Sequence, residues 1–293
     1  MSLLEAIIMG IIQGVTEFLP ISSSGHLSIG KEILGLSEVP ILFDIMLHVG
    51  TLIAVFIAYW VDIKELIIEG FSMIRDLFKN LFVAMSLYLP IKCNESEYKY
   101  IKIVTTPYRR FVILVLVSTI PTGIVGIVVS KILDSTGNAL IIPGLGLLIT
   151  GIILLIADNT QAGHRVEMTT SYFNAIMIGL AQGFATIPGI SRSGATITAC
   201  LLCGFDKTYA VKYSFIISIP AILAAALLDM FKFADTIYGD LVINYLVGTV
   251  VAGVVGYICV KIMLKIVRDK QFYSYTVYCF IIGVIAITYY LLC

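Results

Sequence analysis

Six stretches of the chain run without an acidic residue, lysine or arginine for close to the length of a bilayer crossing: 45–61, 111–130, 139–157, 213–228, 241–260 and 271–293. A membrane-spanning helix needs about 20 predominantly apolar residues, so the runs predict an all-α polytopic membrane protein with six transmembrane helices. Composition agrees: the 293 residues are 59% hydrophobic and 13% charged, where soluble domains carry about 25% charged residues. Too few ionic groups remain to cover a water-facing surface. A net charge of +0 argues against nucleic acid as a partner. The six cysteines lie mostly in apolar runs with no spacing that implies a disulfide framework. Cys200 and Cys203 form a C-x-x-C, but with no second pair or nearby histidine it reads as a small apolar helix face rather than a zinc or redox site. Glu5 stands where a cleavable signal has its basic start, and no small-residue cleavage site follows.

Two further apolar segments are interrupted. Around 6–30 the breaks are Gln13, Glu17 and His26; around 172–205 they are Gln182, Pro188 and Arg192. Pieces of about 10–14 apolar residues suit re-entrant half-helices better than spans, and irregular backbone at that depth is tolerable only where it lines a protein-walled cavity. The positive-inside bias then orients the chain. With residues 1–44 starting outside, and with Arg192 left out because it sits in an interrupted segment, fifteen lysines and arginines fall in the inside segments 62–110, 158–212 and 261–270, while Lys31, Lys131 and Lys232 fall outside. Both termini are expected outside, although eight of the fifteen sit in the long 62–110 segment.

A shift of 169 residues superimposes Ala6, Gly10, Gln13, Gly14, Ser22, Ser24 and Gly25 on Ala175, Gly179, Gln182, Gly183, Ser191, Ser193 and Gly194 without a gap. Each half, about 1–157 and 172–293, then reads as one re-entrant helical hairpin plus three spans. Three is odd, so the chain is expected to be an inverted-topology repeat with its broken helices facing each other near the midplane. The polar insertion at about 70–105 has no counterpart in the second half; it reads either as a helix at the membrane interface or as an inserted loop.

The interrupted segments carry the chemistry. In residues 13–26, Gln13 and Glu17 are four apart and share a helix face. Pro20 would end that helix, and Ser22, Ser23, Ser24 and Gly25 follow, small residues that let backbone N–H groups converge on an anion. Residues 188–196 repeat the Ser–Gly pattern with Arg192 in place of Ser23, and a planar guanidinium grips two phosphate oxygens at once. Each charge inside hydrocarbon costs at least about 2.5–3.5 kcal/mol, so Glu17, His26 and Arg192 are hard to explain as decoration. A Glu17–Arg192 pair that merely locks the halves together would leave the hydroxyl-rich loops unexplained. Elsewhere, His48 reads as a helix-packing histidine with Asp44 one turn away, His164 as solvated, and Asp158 as interfacial.

These two loops resemble the paired motifs of the undecaprenyl-pyrophosphate phosphatases, the bacitracin-resistance family. The first motif is matched by Gln13, Glu17, Ser22, Ser23 and His26; the second by Pro188, Gly189, Ser191, Arg192, Ser193 and Thr196. Weaker similarities lie in 47–55, 118–126, 155–158 and 218–223, and the long polar insertion is the departure. The resemblance implies a multi-pass enzyme of the bacterial plasma membrane. Such an enzyme converts undecaprenyl pyrophosphate to the monophosphate with a divalent cation, magnesium or calcium, and so recycles the lipid carrier for cell-wall synthesis. Its active site is expected to open on the extracytoplasmic side. On that reading Gln13 and Glu17 hold the metal and Arg192 binds the phosphoryl group. Ser23 is the nucleophile, with His26 as its base or as the acid for the leaving group. Ser22, Ser24, Gly25, Ser191, Ser193 and Thr196 bind phosphate. Direct attack by water, with Glu17 or His26 as base, stays open, as does the oligomeric state, a homodimer included. The alternative function is a lipid-phosphate carrier, a flippase using the same inverted-repeat architecture. Acid-phosphatase-like lipid phosphatases also use Ser-Gly-His and Ser-Arg segments, but their additional Lys-x6-Arg-Pro motif and a second histidine after the arginine do not occur here.

Overall fold

The structure, a computed structural model, describes all residues except 37–38, 89–99, 134–139, 233–241, 270–271 and 293. The described residues are almost entirely helical: α1 (Leu3–Phe18), α2 (Ser23–Leu34), α3 (Ile41–Ala58), α4 (Trp60–Tyr88), α5 (Pro107–Leu133), α6 (Ile141–Asn159), α7 (Tyr172–Phe184), α8 (Arg192–Leu202), α9 (Lys207–Lys232), α10 (Val242–Asp269) and α11 (Tyr273–Leu292). The only β-type pairing among them is an isolated bridge between Arg165 and Phe205. Six helices, α3, α5, α6, α9, α10 and α11, are long and apolar enough to cross a membrane, and the protein is an all-α polytopic membrane protein.

Three spans, α5, α9 and α10, are clearly longer than their charge-free runs implied. The run from 213 becomes α9 from Lys207, and the run ending at 260 continues to Asp269. Charged side chains at helix ends reach polar partners while their backbone stays helical: Lys212 Nζ lies 2.9 Å from Glu167 and 3.4 Å from Asp62. A charge-free criterion trims such turns.

Local sequence explains the shorter helices. Ser2 and Glu5 close a capping box, the Ser2 N–H donating to Glu5 Oε2 at 2.7 Å. Glu5, which the sequence offers as evidence against a signal, thus starts α1. The helix stops where Pro20 requires: Leu19, preceding it, is extended at φ −67°, ψ 145°. Ser22 then caps α2, its Oγ accepting from Gly25 N, and 169 residues on Ser191 caps α8 by accepting from Gly194 N. The hairpins pack alike. A Cβ on Gly14 of α1 would stand 2.8 Å from the Ala252 carbonyl of α10, and one on Gly183 of α7 would stand 2.6 Å from Val125 Cβ of α5. Gly14→Ala is therefore expected to force α1 from α10 and destabilise the protein by about 1–3 kcal/mol, as overpacking does. A melting temperature unchanged from wild type would contradict that close approach.

The first part of the polar insertion is helix, continuous with residues 60–69 in α4. Its inner face is pinned by polar contacts. Arg109, in the first turn of α5, bonds Glu69 at 2.7 Å and Asp76 at 2.9 Å. The bond to Arg109 holds the Glu69 carboxyl below its ordinary range. Asn80 exchanges two 2.8 Å bonds with the backbone of Ile101. Residues 89–99, the rest of that insertion's polar stretch, lie outside the described part.

Candidate active site

The turns of the two hairpins meet. Glu17, buried near the end of α1, is the hub. One carboxylate oxygen pairs with Arg192 at the start of α8; the other accepts from Ser23 Oγ at 2.6 Å and from Gln13 Nε2 at 3.0 Å. Gln13 and Glu17 face the same way because they are one turn apart on α1. Ser23 opens α2, and Ser22, its cap, holds φ +72°, the only positive φ on a non-glycine among the described residues. Strain of about 1–3 kcal/mol persists only where surroundings over-determine it, and it clusters at functional sites. Ser24 Oγ accepts from Gly189 N at 3.2 Å, and Ser193 Oγ donates to the Leu19 carbonyl at 3.4 Å, so each turn is stitched to the other. Gly189 itself requires φ +88°, and a Cβ there would collide with the Pro143 carbonyl of α6.

Not every residue of the two motifs faces the Glu17–Arg192 pair. Ser191 Oγ is occupied with Gly194 N and Ser193. Thr196 is fully buried one turn below Arg192, bonded to the Arg192 carbonyl at 2.8 Å and to Ser214 of α9 at 2.5 Å; it braces the arginine-bearing helix. His26 also departs from expectation. Its Nδ1 lies 2.7 Å from the Ser22 carbonyl, which can only accept, so that nitrogen carries a proton. Its Nε2 then meets the Tyr278 hydroxyl of α11 at 2.8 Å, with the rings stacked at 5.6 Å. Both ring nitrogens are engaged away from Ser23, whose hydroxyl donates to Glu17 instead. Tyr278→Phe keeps the stacking and loses one hydrogen bond worth about 0.5–1.5 kcal/mol. We expect turnover to fall by about two- to tenfold, and full wild-type turnover would exclude a positioning role.

Two side chains join the site that sequence reasoning passed over or misjudged. His48 of α3 does not merely pack: Nδ1 lies 2.8 Å from Gln13 Nε2 and 3.5 Å from Glu17, with a third of the side chain exposed. Thr150 of α6 donates to the Gly189 carbonyl and accepts from Ser191 N, at 2.8 and 2.9 Å. Nothing in the apolar spans flagged Thr150, whereas His48 in a hydrophobic run was a visible signal. Gln13 is fully buried; its Nε2 makes all of its bonds, and its carbonyl oxygen Oε1 has no partner among the described residues. An unpaired buried carbonyl one turn from a carboxylate is a hard oxygen donor set, the kind magnesium and calcium prefer. No cluster of three or more His, Cys, Asp or Glu exists among the described residues, so such a cation would be completed by substrate oxygens or water. The C-x-x-C cysteines are free thiols, Cys200 buried and Cys203 partly so. A cleft of about 690 Å³ elsewhere is lined by His164, Arg165 and Asn174 and holds no carboxylate; the reactive groups are concentrated at Glu17.

Fold and site together define a polytopic membrane protein in which two helix–turn–helix hairpins join a serine hydroxyl, a carboxylate and a guanidinium between apolar spans. The chain belongs to the family of bacitracin resistance protein BacA, whose model it matches over residues 6–285. It is similar to the undecaprenyl-diphosphatase of Alkaliphilus metalliredigens, 38% identical over 294 residues and the whole of both chains. The undecaprenyl-diphosphatases of Methanosphaera stadtmanae, at 35%, and Halothermothrix orenii, at 36%, align over 98% of each chain.

Proposed function

We propose that this protein hydrolyses undecaprenyl pyrophosphate to undecaprenyl phosphate and inorganic phosphate, recycling the lipid carrier for cell-wall synthesis. The observation that carries the reading is the chain of contacts Ser23 Oγ–Glu17–Arg192, in which one carboxylate holds a hydroxyl on one oxygen and a guanidinium on the other, the groups a nucleophile, its base and a phosphate ligand require. Kinship to enzymes named for this activity over nearly the full chain supports the substrate.

In this mechanism Glu17 takes the Ser23 proton as the Oγ–P bond forms at the terminal phosphorus. The P–O bond to the lipid-borne phosphate breaks, and the lipid monophosphate leaves with the electron pair and receives that proton. Water then attacks the phosphoserine and passes a proton to Glu17, which returns it to Ser23 Oγ as inorganic phosphate departs. Arg192, with 23% of its side chain exposed, grips the phosphoryl oxygens and stabilises the charge that grows on them. Ser22, Ser24, Gly25, Ser191 and Ser193 hold the two turns in this arrangement, and the starts of α2 and α8, helix N-termini that favour an anion, lie at those turns. Gln13 Oε1 and Glu17 would hold a magnesium or calcium ion, which when bound neutralises pyrophosphate oxygens. Tyr278 and the Ser22 carbonyl fix the tautomer and position of His26, leaving Nε2 an acceptor that reaches substrate only through rearrangement of the Tyr278 bond.

The same reading places both termini outside a bacterial plasma membrane, with the hairpins re-entrant from opposite faces and the halves inverted. The lysine and arginine asymmetry supports that orientation. The serine caps of α2 and α8 and the glycine contacts of α1 and α7 support the repeat. The prenyl tail stays in lipid, so the site opens laterally. Release of phosphate from a prenyl pyrophosphate by the purified protein, set against transfer of the intact lipid between leaflets, separates this enzyme from a carrier.

A further inference from the structure

A second surface lies outside this chemistry, on α4. Its side chains Ile67, Ile68, Phe71, Ile74, Phe78 and Phe82 recur at three- and four-residue spacing and are 47% to 71% exposed, one continuous apolar stripe. The charges of the helix are sorted by face. Glu69 and Asp76 turn inward to Arg109, and Asp62 to Lys212 and Tyr108. Lys64 and Lys79 are exposed; Arg75, 3.3 Å from Asp76, keeps 64% of its side chain exposed, and Arg75 and Lys79 lie one turn apart along an edge of the stripe. Glu65 is half-buried and makes no ion pair among the described residues. The outward side is thus apolar with a basic margin, while the acids are neutralised behind it.

Position says what covers such a face. Only Tyr59 separates α4 from the span α3, and Trp60, 57% exposed, stands at the junction. Arg109, which pins α4 two turns along at Glu69 and Asp76, lies in the first turn of another span, α5. Both attachments lie at the ends of helices long and apolar enough to cross a membrane. The stripe from 67 to 82 runs for about 24 Å along the 29-residue α4, and that apolar surface against water would be costly, whereas interfacial helices bury such a stripe about 5–10 Å into the headgroup and acyl boundary. We propose that α4 is a docking surface for an anionic lipid leaflet, with Phe71, Phe78 and Phe82 among the upper acyl carbons and Arg75 and Lys79 at the lipid phosphates.

Trp60 is the single tryptophan of the chain, which makes the test direct. In a Trp60→Phe background, Phe78→Trp is reconstituted into phosphatidylglycerol–phosphatidylcholine vesicles, with Phe71→Trp as a second reporter and Met168→Trp, on an exposed 3₁₀ turn, as the water-facing control. Lipids brominated at the shallow acyl positions should quench the Phe78→Trp reporter at least twofold, and iodide should quench it several-fold less than the Met168→Trp control. Energy transfer from the Phe78→Trp reporter to pyrene-labelled phosphatidylglycerol should exceed transfer to the phosphatidylcholine analogue at least twofold, and R75E with K79E should abolish that preference. Strong iodide quenching without bromolipid quenching overturns the proposal in favour of water. Shielding from both quenchers overturns it in favour of a protein cover such as a second copy. Equal transfer to both pyrene lipids removes the anionic specificity.

Discussion

Arg192→Lys is expected to lower phosphate release by about 10²–10³, the cost of losing one aligned electrostatic donor to a transition state. The substitution preserves the positive charge beside Glu17. Stability should therefore change little, whereas removing one member of a buried pair outright costs about 3–5 kcal/mol. What lysine cannot reproduce is the planar fork, which lets one guanidinium engage Glu17 and a phosphoryl oxygen at the same time. The informative pattern is a near-normal melting temperature with phosphate release at one per cent of wild type or less. A lysine variant that turns over within a few-fold of wild type would mean that Arg192 serves only as a counter-ion locking the hairpins, and the phosphate-binding role would fall.

Ser23→Ala carries the second large effect. Ser23 Oγ stands 2.6 Å from the buried Glu17 carboxylate, so the alanine variant removes the proposed nucleophile while leaving the Glu17–Arg192 pair in place. Loss of at least 10²–10³ in turnover is expected, by analogy with the cost of deleting a single transition-state contact. Binding of the pyrophosphate lipid should persist, because one hydroxyl adds little to a site holding Arg192. Glu17→Gln should lose turnover at least as severely, but it also leaves Arg192 without its partner, so its melting temperature must be read beside its rate. Turnover near wild type in Ser23→Ala would transfer the attack to water, with Glu17 as its base.

The sequence made the architecture legible because hydrocarbon imposes length and apolarity one span at a time. All six runs correspond to helices, and Pro20 ended α1 through purely local sterics. Helix ends were less legible: the charges of Lys207 and Lys212 looked like boundaries, yet the Lys212 partners Glu167 and Asp62 lie far along the chain. The same limit applies at the site. Glu17, Ser23 and Arg192 announced themselves as polar residues in interrupted apolar segments. Tyr278 could not, since a tyrosine in a span is ordinary, and it meets His26 across 252 residues. His48 was visible but was set aside as packing, and only the approach of α3 to α1 brings it to Gln13. His26 looked like the base because it is three residues from Ser23; on α2 that spacing carried its ring to α11 instead.

The central claim is tested most directly by the purified wild-type protein in vesicles carrying undecaprenyl pyrophosphate, with released phosphate and lipid leaflet position followed together, with and without a chelator. The account predicts stoichiometric phosphate and undecaprenyl monophosphate, both abolished by chelation and restored by magnesium or calcium. Intact pyrophosphate lipid moving between leaflets, with no phosphate released under any divalent cation, would contradict it.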